Sequence, residues 1–312
     1  MKKTTVAVIV VVIVLVGVAV GIYYFSRSSP SNPPVVPQNQ PATTGTVEQQ
    51  QPSTSAVATS SQNTPAGETV IGKSVQGNDI IAYHYGSGAK ELLFIGGIHG
   101  GYEWNTVLVA YDLMDYLKAH PEVIPQNVKV TVIPVMNPDG LKKVVGTTAR
   151  FTATDVTASQ AVQISGRFNA DNVDLGRNFD CNWQATGTWQ KTPVSGGSAA
   201  FSEPESKAIR EYVQAHKPAA IVTWYSAVGG VFASSCHSGI LAETKKINAA
   251  YAAASGYPAY DSFNFYTLTG DMVNWFADQN IPAISVLLTT HTDIEWNKNL
   301  AGIQALLSYY GK

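Results

Sequence analysis

Charged residues are scarce in this sequence. Lysine, arginine, aspartate and glutamate make up 13% of the 312 residues, and their formal charges sum to −2. About a quarter is the usual charged share of a soluble domain. Nucleic-acid-binding domains carry a basic surface, so this charge balance argues against nucleic acid as a partner. Hydrophobic residues make up 45% of the chain, which is enough for a large core.

Cysteine is scarce as well. The chain has two cysteines, Cys181 and Cys236. Two thiols cannot supply the four ligands of a cysteine-only zinc site. Whether they pair depends on the compartment, because disulfides persist outside the cytoplasm and are rare inside it.

One long apolar run stands at the N-terminus. Lys2 and Lys3 precede 22 uncharged residues, 4–25, which are dominated by Val, Ile and Ala. That length spans a bilayer as a helix, and the flanking lysines predict that residues 1–3 stay in the cytoplasm. The alternative is a cleaved signal peptide, which normally has a shorter apolar region and a small-residue cleavage site. We favour an uncleaved single-pass anchor in the cell membrane. It places the rest of the chain outside, where a Cys181–Cys236 disulfide is expected.

The next segment, residues 26–67, is rich in Ser, Pro, Thr, Gln and Asn and has almost no large apolar residues. Such a composition cannot bury enough surface to fold, so it predicts a disordered stalk. Extended, the stalk would reach up to ~100 Å from the membrane. The composition becomes globular at residue 68, which predicts a single folded domain over 68–312.

Apolar strand patterns alternate with helical patterns throughout that domain. This alternation predicts an α/β fold with a mixed, largely buried β-sheet and helices on both of its faces. Residues 141–171 are predicted to be mostly loop. Ser202 is predicted to cap a helix, with Glu205 bonding back to it in a capping box. The predicted buried strands are 91–98, 128–135, 219–224 and 281–288, and the main predicted helices are 104–120, 241–254, 271–278 and 295–309.

His99 and Glu103 stand where a buried strand hands over to a helix. Alternating strand–helix folds place ligand sites at such corners. The glycines around these two residues leave few side chains against which they could pack. Imidazole nitrogen and carboxylate oxygen are both zinc ligands. The alternative is a turn histidine beside a glutamate that the helix N-terminus favours.

Several short motifs follow one another in the domain: IGKSVQGNDI, LLFIGGIHGGYE, VIPVMNPDG, RFNADNVDLGRNF and FSEPES. Together they resemble the zinc carboxypeptidases, peptidase family M14, including the bacterial members that trim murein peptides. The resemblance covers about 69–309. It implies a zinc metallocarboxypeptidase or amidase that hydrolyses peptides with a free carboxylate. Together with the predicted anchor, which places the domain outside the cytoplasm, the resemblance makes cell-wall peptides the expected substrates.

The resemblance also implies individual roles. His99 and Glu103 match the first two zinc ligands, although the family usually has two residues between them and this chain has three. Arg167 matches the catalytic arginine that polarises the scissile carbonyl. Arg177, followed by Asn178, matches the clamp for the terminal carboxylate of the substrate. A guanidinium suits both jobs because it stays charged and can bind two oxygens at once.

Three positions depart from the family pattern. Gly176 stands where the family commonly has Asn beside the carboxylate clamp. Tyr225 stands where the third zinc ligand is expected to be His, and a phenol is a poor metal ligand near neutral pH. Leu287 stands where the catalytic Glu is expected, and its side chain cannot move a proton.

Substitutes for the missing groups are available in the sequence. His237 is the predicted third zinc ligand, since it is the next downstream histidine and is also followed by serine. Glu295 is the predicted replacement for the catalytic carboxylate, and His291 is the alternative to it. Two other functions stay open: a peptidase-like domain that binds peptides or wall fragments without cleaving them, and a purely structural surface domain.

Overall fold

A computed structural model describes residues 67–312. The predicted anchor at 4–25 and all of the predicted stalk except its last residue lie outside the described residues. Within 67–312, none of the helices combines the length and the apolarity needed to cross a membrane.

The strands are β1 (Glu68–Lys73), β2 (Asp79–Tyr85), β3 (Lys90–Ile95), β4 (Val128–Ile133), β5 (Thr186–Trp189), β6 (Thr192–Ser195), β7 (Ala220–Ser226), β8 (Gly230–Ala233), β9 (Ala259–Tyr260) and β10 (Ala283–Leu288). Eight of them form one mixed sheet in the order β1-β2-β4-β3-β7-β10-β8-β9, and β5 and β6 form a separate hairpin. The inner strands β4, β3, β7 and β10 run parallel to one another.

Helices cover both faces of the sheet, as the sequence predicts. The helices are α1 (Trp104–Ala119), α2 (Pro138–Val145), α3 (Gln160–Ser165), α4 (Pro204–His216), α5 (Ala242–Ser255), α6 (Met272–Asp278) and α7 (Trp296–Tyr310). On β3, Leu92 and Phe94 face one hydrophobic core while Leu93 and Ile95 face the other, because successive strand residues point to opposite sides. The first core is closed by α1, α5 and α7, and the second by α4 and α6.

Two local predictions are wrong. The segment predicted as loop, 141–171, contains most of α2 and all of α3. Ser202 does not cap α4; its hydroxyl donates to Glu203 Oε1 at 2.7 Å, and α4 has no side-chain cap. Glu205 instead accepts from the backbone N of Val75 at 3.1 Å. The Ser202 hydroxyl also accepts from Asn178 Nδ2 at 2.9 Å. Both groups that the capping box needs therefore bond to residues distant in sequence, which sequence patterns do not reveal.

Buried and partly buried polar contacts join the segments that carry the family motifs. Asp139, in the NPDG motif, accepts from Ser74 Oγ and Asn78 Nδ2, each at 2.6 Å. Asn169, in the RFNADN motif, donates to Glu203 Oε2 at 2.7 Å. Buried carboxylates and amides are stable only when they are hydrogen-bonded in this way. The motifs that carry the family resemblance therefore hold one another in place.

The predicted disulfide is present between Cys181 and Cys236, whose Cα atoms are 6.1 Å apart. It closes a loop with a sequence separation of 55 residues. Closing a long loop lowers the entropy of the unfolded chain. The bridge fixes the segment that follows Arg177 against the segment that follows β8.

A buried carboxylate at the other end of the sheet predicts a pH-dependent stability. Glu91 accepts hydrogen bonds from Tyr212 and Thr131 and pairs with Lys129 at 3.0 Å. Burial alone would raise the pKa of Glu91, but these three donors outweigh it and lower that pKa. We expect Glu91→Gln to lower the free energy of unfolding by about 1–3 kcal/mol at pH 7, as measured by urea denaturation.

The sign of the pH effect follows from the lowered pKa of Glu91. The ionised carboxylate stabilises the folded state above the unfolded pKa of about 4.3, and this contribution is lost as pH falls through the lower folded pKa. The difference between the wild type and Glu91→Gln should therefore shrink at about pH 3. A difference that is equal at both pH values would contradict this assignment. Glu211→Gln, an exposed change, should have little effect at either pH.

Candidate functional site

A cavity of about 370 Å³ opens beside the carboxyl ends of β3, β7 and β10. His99 follows β3, and Tyr225 and Leu287 lie near the ends of β7 and β10. Parallel strands bring their carboxyl ends to the same edge of the sheet, so residues distant in sequence converge there. All three side chains line the cavity, as do Arg167 and Arg177.

His99 and Glu103 lie at the two ends of a single turn of 3-10 helix, which ends where α1 begins. His99 Nδ1 lies 2.8 Å from Glu103 Oε1, and both side chains are buried. The two atoms are close, yet neither ring nitrogen of His99 has a partner in hydrogen-bond geometry within 67–312. The extra residue in this turn therefore does not separate the two predicted zinc ligands.

Asp174 is the residue that sequence reasoning missed at this point. Its Oδ1 lies 3.3 Å from His99 Nε2, and its Oδ2 accepts from Arg167 Nε at 2.9 Å. Burial opposes ionisation of Asp174, but the positive charge of Arg167, followed by His99, outweighs it and lowers the pKa of Asp174. The acid two residues before the glycine of the DLGRN motif was the available signal. Asp174 therefore holds Arg167 by a hydrogen-bonded ion pair and lies close to His99.

Gly176 has a steric reason to lack a side chain. A Cβ at this position would lie 2.9 Å from His99 Nε2 and 3.2 Å from Asp174 Oδ1. Asn, which the family resemblance leads one to expect here, would push into the His99–Asp174 contact. The glycine at position 176 therefore leaves the space that the His99 ring occupies in this chain.

The two arginines are buried and held in different ways. Arg167 pairs with Asp174 and lies against Trp189, with its Cζ 4.6 Å from the ring centroid. Arg177 donates from Nη1 to Gly176 O at 2.6 Å and from Nη2 and Nε to Thr188 O at 3.1 and 3.3 Å. These contacts use three of the five N–H groups of a guanidinium. Arg177 thus keeps donors for a ligand in the cavity.

Tyr225 and Leu287 are direct neighbours. They are paired in the parallel ladder between β7 and β10, and each is buried in the cavity wall. Burial, followed by the carboxylates of Asp271 and Glu103, raises the pKa of the Tyr225 phenol well above its ordinary value. The phenol oxygen has no hydrogen-bond partner among the described residues. Both departures from the family pattern therefore lie side by side in the cavity.

Aromatic side chains form much of the remaining wall. Phe265 is 57% exposed and contacts Phe263 at the mouth, with ring centroids 5.2 Å apart. Tyr266 lies near Arg177, whose Cζ is 5.8 Å from its ring centroid. Asp271 adds a buried carboxylate, and burial raises the pKa of that group. Such a cavity suits a ligand that has an apolar part and a charged part.

His291 lies in the same wall and packs on Tyr102, with ring centroids 4.6 Å apart. Its Nδ1 lies 2.8 Å from Ser226 Oγ. Burial lowers the pKa of His291, although the charge of Glu103 opposes this. The sequence offered His291 only as the alternative to Glu295.

Three of the predicted site residues lie elsewhere. Asn178 donates to Gly196 O and Ala199 O and accepts from Ser206 Oγ, so it braces loops outside the cavity wall. Glu295 does not line the cavity; its oxygens accept from Thr289, Tyr257 and Lys298.

His237 also lies outside the cavity. It is exposed and pairs with Asp278 through Nδ1 at 3.0 Å. Cys236, His237 and Asp278 gather ligand-type atoms within 4.8 Å of one another, the one such group of three found within residues 67–312. Cys236 is bonded to Cys181, so its sulfur is not a free ligand. The structure therefore does not bring His237 to His99.

The possible ligand atoms around His99 can be compared with those that a catalytic zinc ion needs. His99 Nδ1 and Glu103 Oε1 are suitable ligands and lie close together. The third position offers the protonated phenol of Tyr225, which is a weak ligand, in place of an imidazole. Catalytic zinc sites in proteins use three protein ligands together with a water. Two donors fit and the third does not, so the described residues do not form a complete catalytic zinc site.

An α/β domain with buried arginines and a histidine–glutamate pair at the carboxyl ends of parallel strands is a metallopeptidase-like domain. A sequence model of the zinc carboxypeptidases, peptidase M14, matches residues 56–295. The chain belongs to this family. Other members of the family are zinc-dependent peptide hydrolases.

Individual relatives agree with this assignment. Carboxypeptidase Z of Rattus norvegicus is 28% identical over 184 residues, which cover 55% of this chain and 26% of that protein. The human protein is 27% identical over the same length. The chain therefore spans about a quarter of the length of the curated relatives it matches.

Solved structures share the fold. The murein-tripeptide amidase of Escherichia coli O157 superposes with a TM-score of 0.55 at 20% identity, covering 78% of this chain and 92% of that one. Bovine thrombin-activatable fibrinolysis inhibitor, solved with a tick carboxypeptidase inhibitor, gives a TM-score of 0.61 at 16% identity, covering 78% and 89%.

Proposed function

We propose that the domain binds the carboxyl-terminal end of peptides without hydrolysing them by the zinc mechanism of its family. The observation that carries this proposal is the neighbouring pair Tyr225 and Leu287 in the cavity wall. It removes one expected metal ligand and the expected base. A metallopeptidase needs a base to activate water and to protonate the leaving amine.

The groups that would bind a peptide end are retained. Arg177 has spare N–H donors in the cavity and would hold the terminal carboxylate. Arg167 would donate to the neighbouring carbonyl. The unpartnered hydroxyl of Tyr225 would donate to the ligand as well, since a buried donor is costly when left unpaired.

The setting of this activity is part of the proposal. Residues 4–25 would anchor the protein in the cell membrane as a single-pass span, and residues 26–67 would carry the domain away from the surface. Peptides of the cell wall are the proposed ligands. Support comes from the apolar run and the stalk composition.

Zinc-dependent hydrolysis of such peptides is the second candidate function. It is favoured by the approach of His99 Nδ1 to Glu103 Oε1 outside hydrogen-bond geometry, which suits two ligands of one ion. It also requires a third ligand and a base, for which His237 and Glu295 were the sequence proposals. Both lie outside the cavity wall.

Calorimetry and a cleavage assay test the proposal together. Residues 68–312 would be titrated with N-acetylated dipeptides and purified murein peptides, each as the free carboxylate and as the matched carboxamide. We expect the carboxylates to bind and the carboxamides to bind about tenfold or more weakly. With zinc supplied, we expect no hydrolysis above a chelator control. Chelator-sensitive cleavage would establish the second candidate, and the absence of binding by every peptide would reject the first.

A further inference from the structure

Three side chains, Asn105, Ser226 and His291, form a hydrogen-bonded chain, and the last two of them line the cavity. Asn105 Nδ2 donates to Thr290 O at 2.7 Å and to Asp293 O at 2.9 Å. These two carbonyl acceptors fix the orientation of the Asn105 amide, because a flipped amide would place Oδ1, an acceptor, against the two carbonyl oxygens. Asn105 Oδ1 therefore faces Ser226, whose Oγ donates to it at 3.2 Å.

The single hydroxyl proton of Ser226 determines which ring nitrogen of His291 is protonated. Because that proton goes to Asn105, the serine oxygen is left to accept from His291 Nδ1, which lies 2.8 Å away. The opposite arrangement would leave two acceptors facing each other in a buried place. His291 is therefore protonated on Nδ1, and when the ring is neutral its lone pair is on Nε2.

The second ring nitrogen of His291 is available. Within 67–312 no group hydrogen-bonds to Nε2, and this atom is not among the buried polar atoms that lack a partner. His291 lines the cavity together with Ser226 and the two arginines. Guanidinium groups only donate. The neutral Nε2 of His291 is an acceptor beside these donors. A carboxylate has no N–H that could donate to it, so this nitrogen suits a different group of the ligand.

We propose that His291 Nε2 accepts a hydrogen bond from an amide N–H of the bound ligand, with Ser226 and Asn105 as positioning residues that keep the lone pair on that nitrogen. This inference rests on the proposed function and narrows its ligand class. The ligand carries a free carboxylate and a neighbouring amide N–H, which is the chemistry of a peptide end or an N-acylated amino acid.

Nitrogen-15 NMR of the histidine rings tests the tautomer without any ligand. At about pH 8 the His291 ring should show a protonated Nδ1 and an unprotonated Nε2. Ser226→Ala should shift His291 toward a mixture of tautomers. His237, whose Nδ1 faces Asp278, is the internal control and should not change. An Nε2-protonated His291 in the wild type would overturn the inference.

A ligand pair tests the hydrogen bond itself. Acetyl-Ala-Phe is compared with the depsipeptide in which the N–H between its two residues is replaced by oxygen. We expect the wild type to prefer the amide by about threefold to tenfold. His291→Phe keeps a ring against Tyr102 and should bind both compounds equally. His237→Phe is the matched control and should keep the wild-type preference.

The outcomes separate this inference from the proposed function. Binding of both compounds with no amide preference, or a preference that His291→Phe keeps in full, overturns the role of His291 and leaves peptide binding intact. No binding of either compound or of any other peptide overturns both.

Discussion

Replacing Arg167 with Met should lower the free energy of unfolding by about 3–5 kcal/mol, the usual cost of leaving one partner of a buried ion pair alone. Asp174 is wholly buried and accepts from Arg167 Nε. Without the guanidinium, that carboxylate must either keep an uncompensated charge in the interior or take up a proton. Urea denaturation at pH 7 measures the loss.

A surface arginine provides the matched control. Arg150 pairs with Asp115 through two contacts of 2.6 and 2.8 Å, but the two side chains are 51% and 61% exposed. Water screens such a pair, so Arg150→Met should cost no more than about 1 kcal/mol. If Arg167→Met were no more destabilising than Arg150→Met, the buried Arg167–Asp174 pair would not be what stabilises this part of the fold.

Replacing Arg177 with Met should weaken the binding of free-carboxylate peptides by about 10- to 150-fold, the equivalent of losing a charge-assisted contact of about 1.5–3 kcal/mol. Arg177 is buried where it lines the cavity, so an ionic contact to its guanidinium is poorly screened. Arg177→Lys should fall between Met and the wild type, because an ammonium keeps the charge and loses the two-donor fork. Calorimetry measures all three.

The matched carboxamide peptide is the control for Arg177. It lacks the charge that the guanidinium recognises, so the wild type and Arg177→Met should bind it with similar, weak affinity. Equal binding of the carboxylate peptide by both proteins would place the carboxylate elsewhere in the cavity. The stability of Arg177→Met should be measured alongside, because its guanidinium also holds Gly176 O and Thr188 O.

The sequence predicted the central part of the fold because its signals there are local and strong. Continuous apolar runs mark β3 and β7, and α1 begins at the predicted residue and ends one residue early. The hairpin of β5 and β6 was missed, since its strands have four residues each in a segment rich in Gly, Thr and Ser. Short strands of that composition look like loop.

The site was predicted in part for a similar reason. His99, Glu103, Arg167 and Arg177 carry local motifs, and the structure brings all four to one cavity. The position of His237 depends instead on the direction in which strand β8 runs.

Strand β8 runs antiparallel to β10, so Ala233 at its end pairs with Ile284 near the start of β10. The chain therefore leaves β8 away from Leu287, and His237 goes with it to the surface. No local pattern gives that direction.

The pairing of Tyr225 with Leu287 also sets how many changes would be needed to introduce zinc-dependent hydrolysis. Tyr225→His alone would supply a ligand without a base, and Leu287→Glu alone would place a carboxylate beside a buried phenol. A ligand and a base together would therefore require two substitutions on two neighbouring strands.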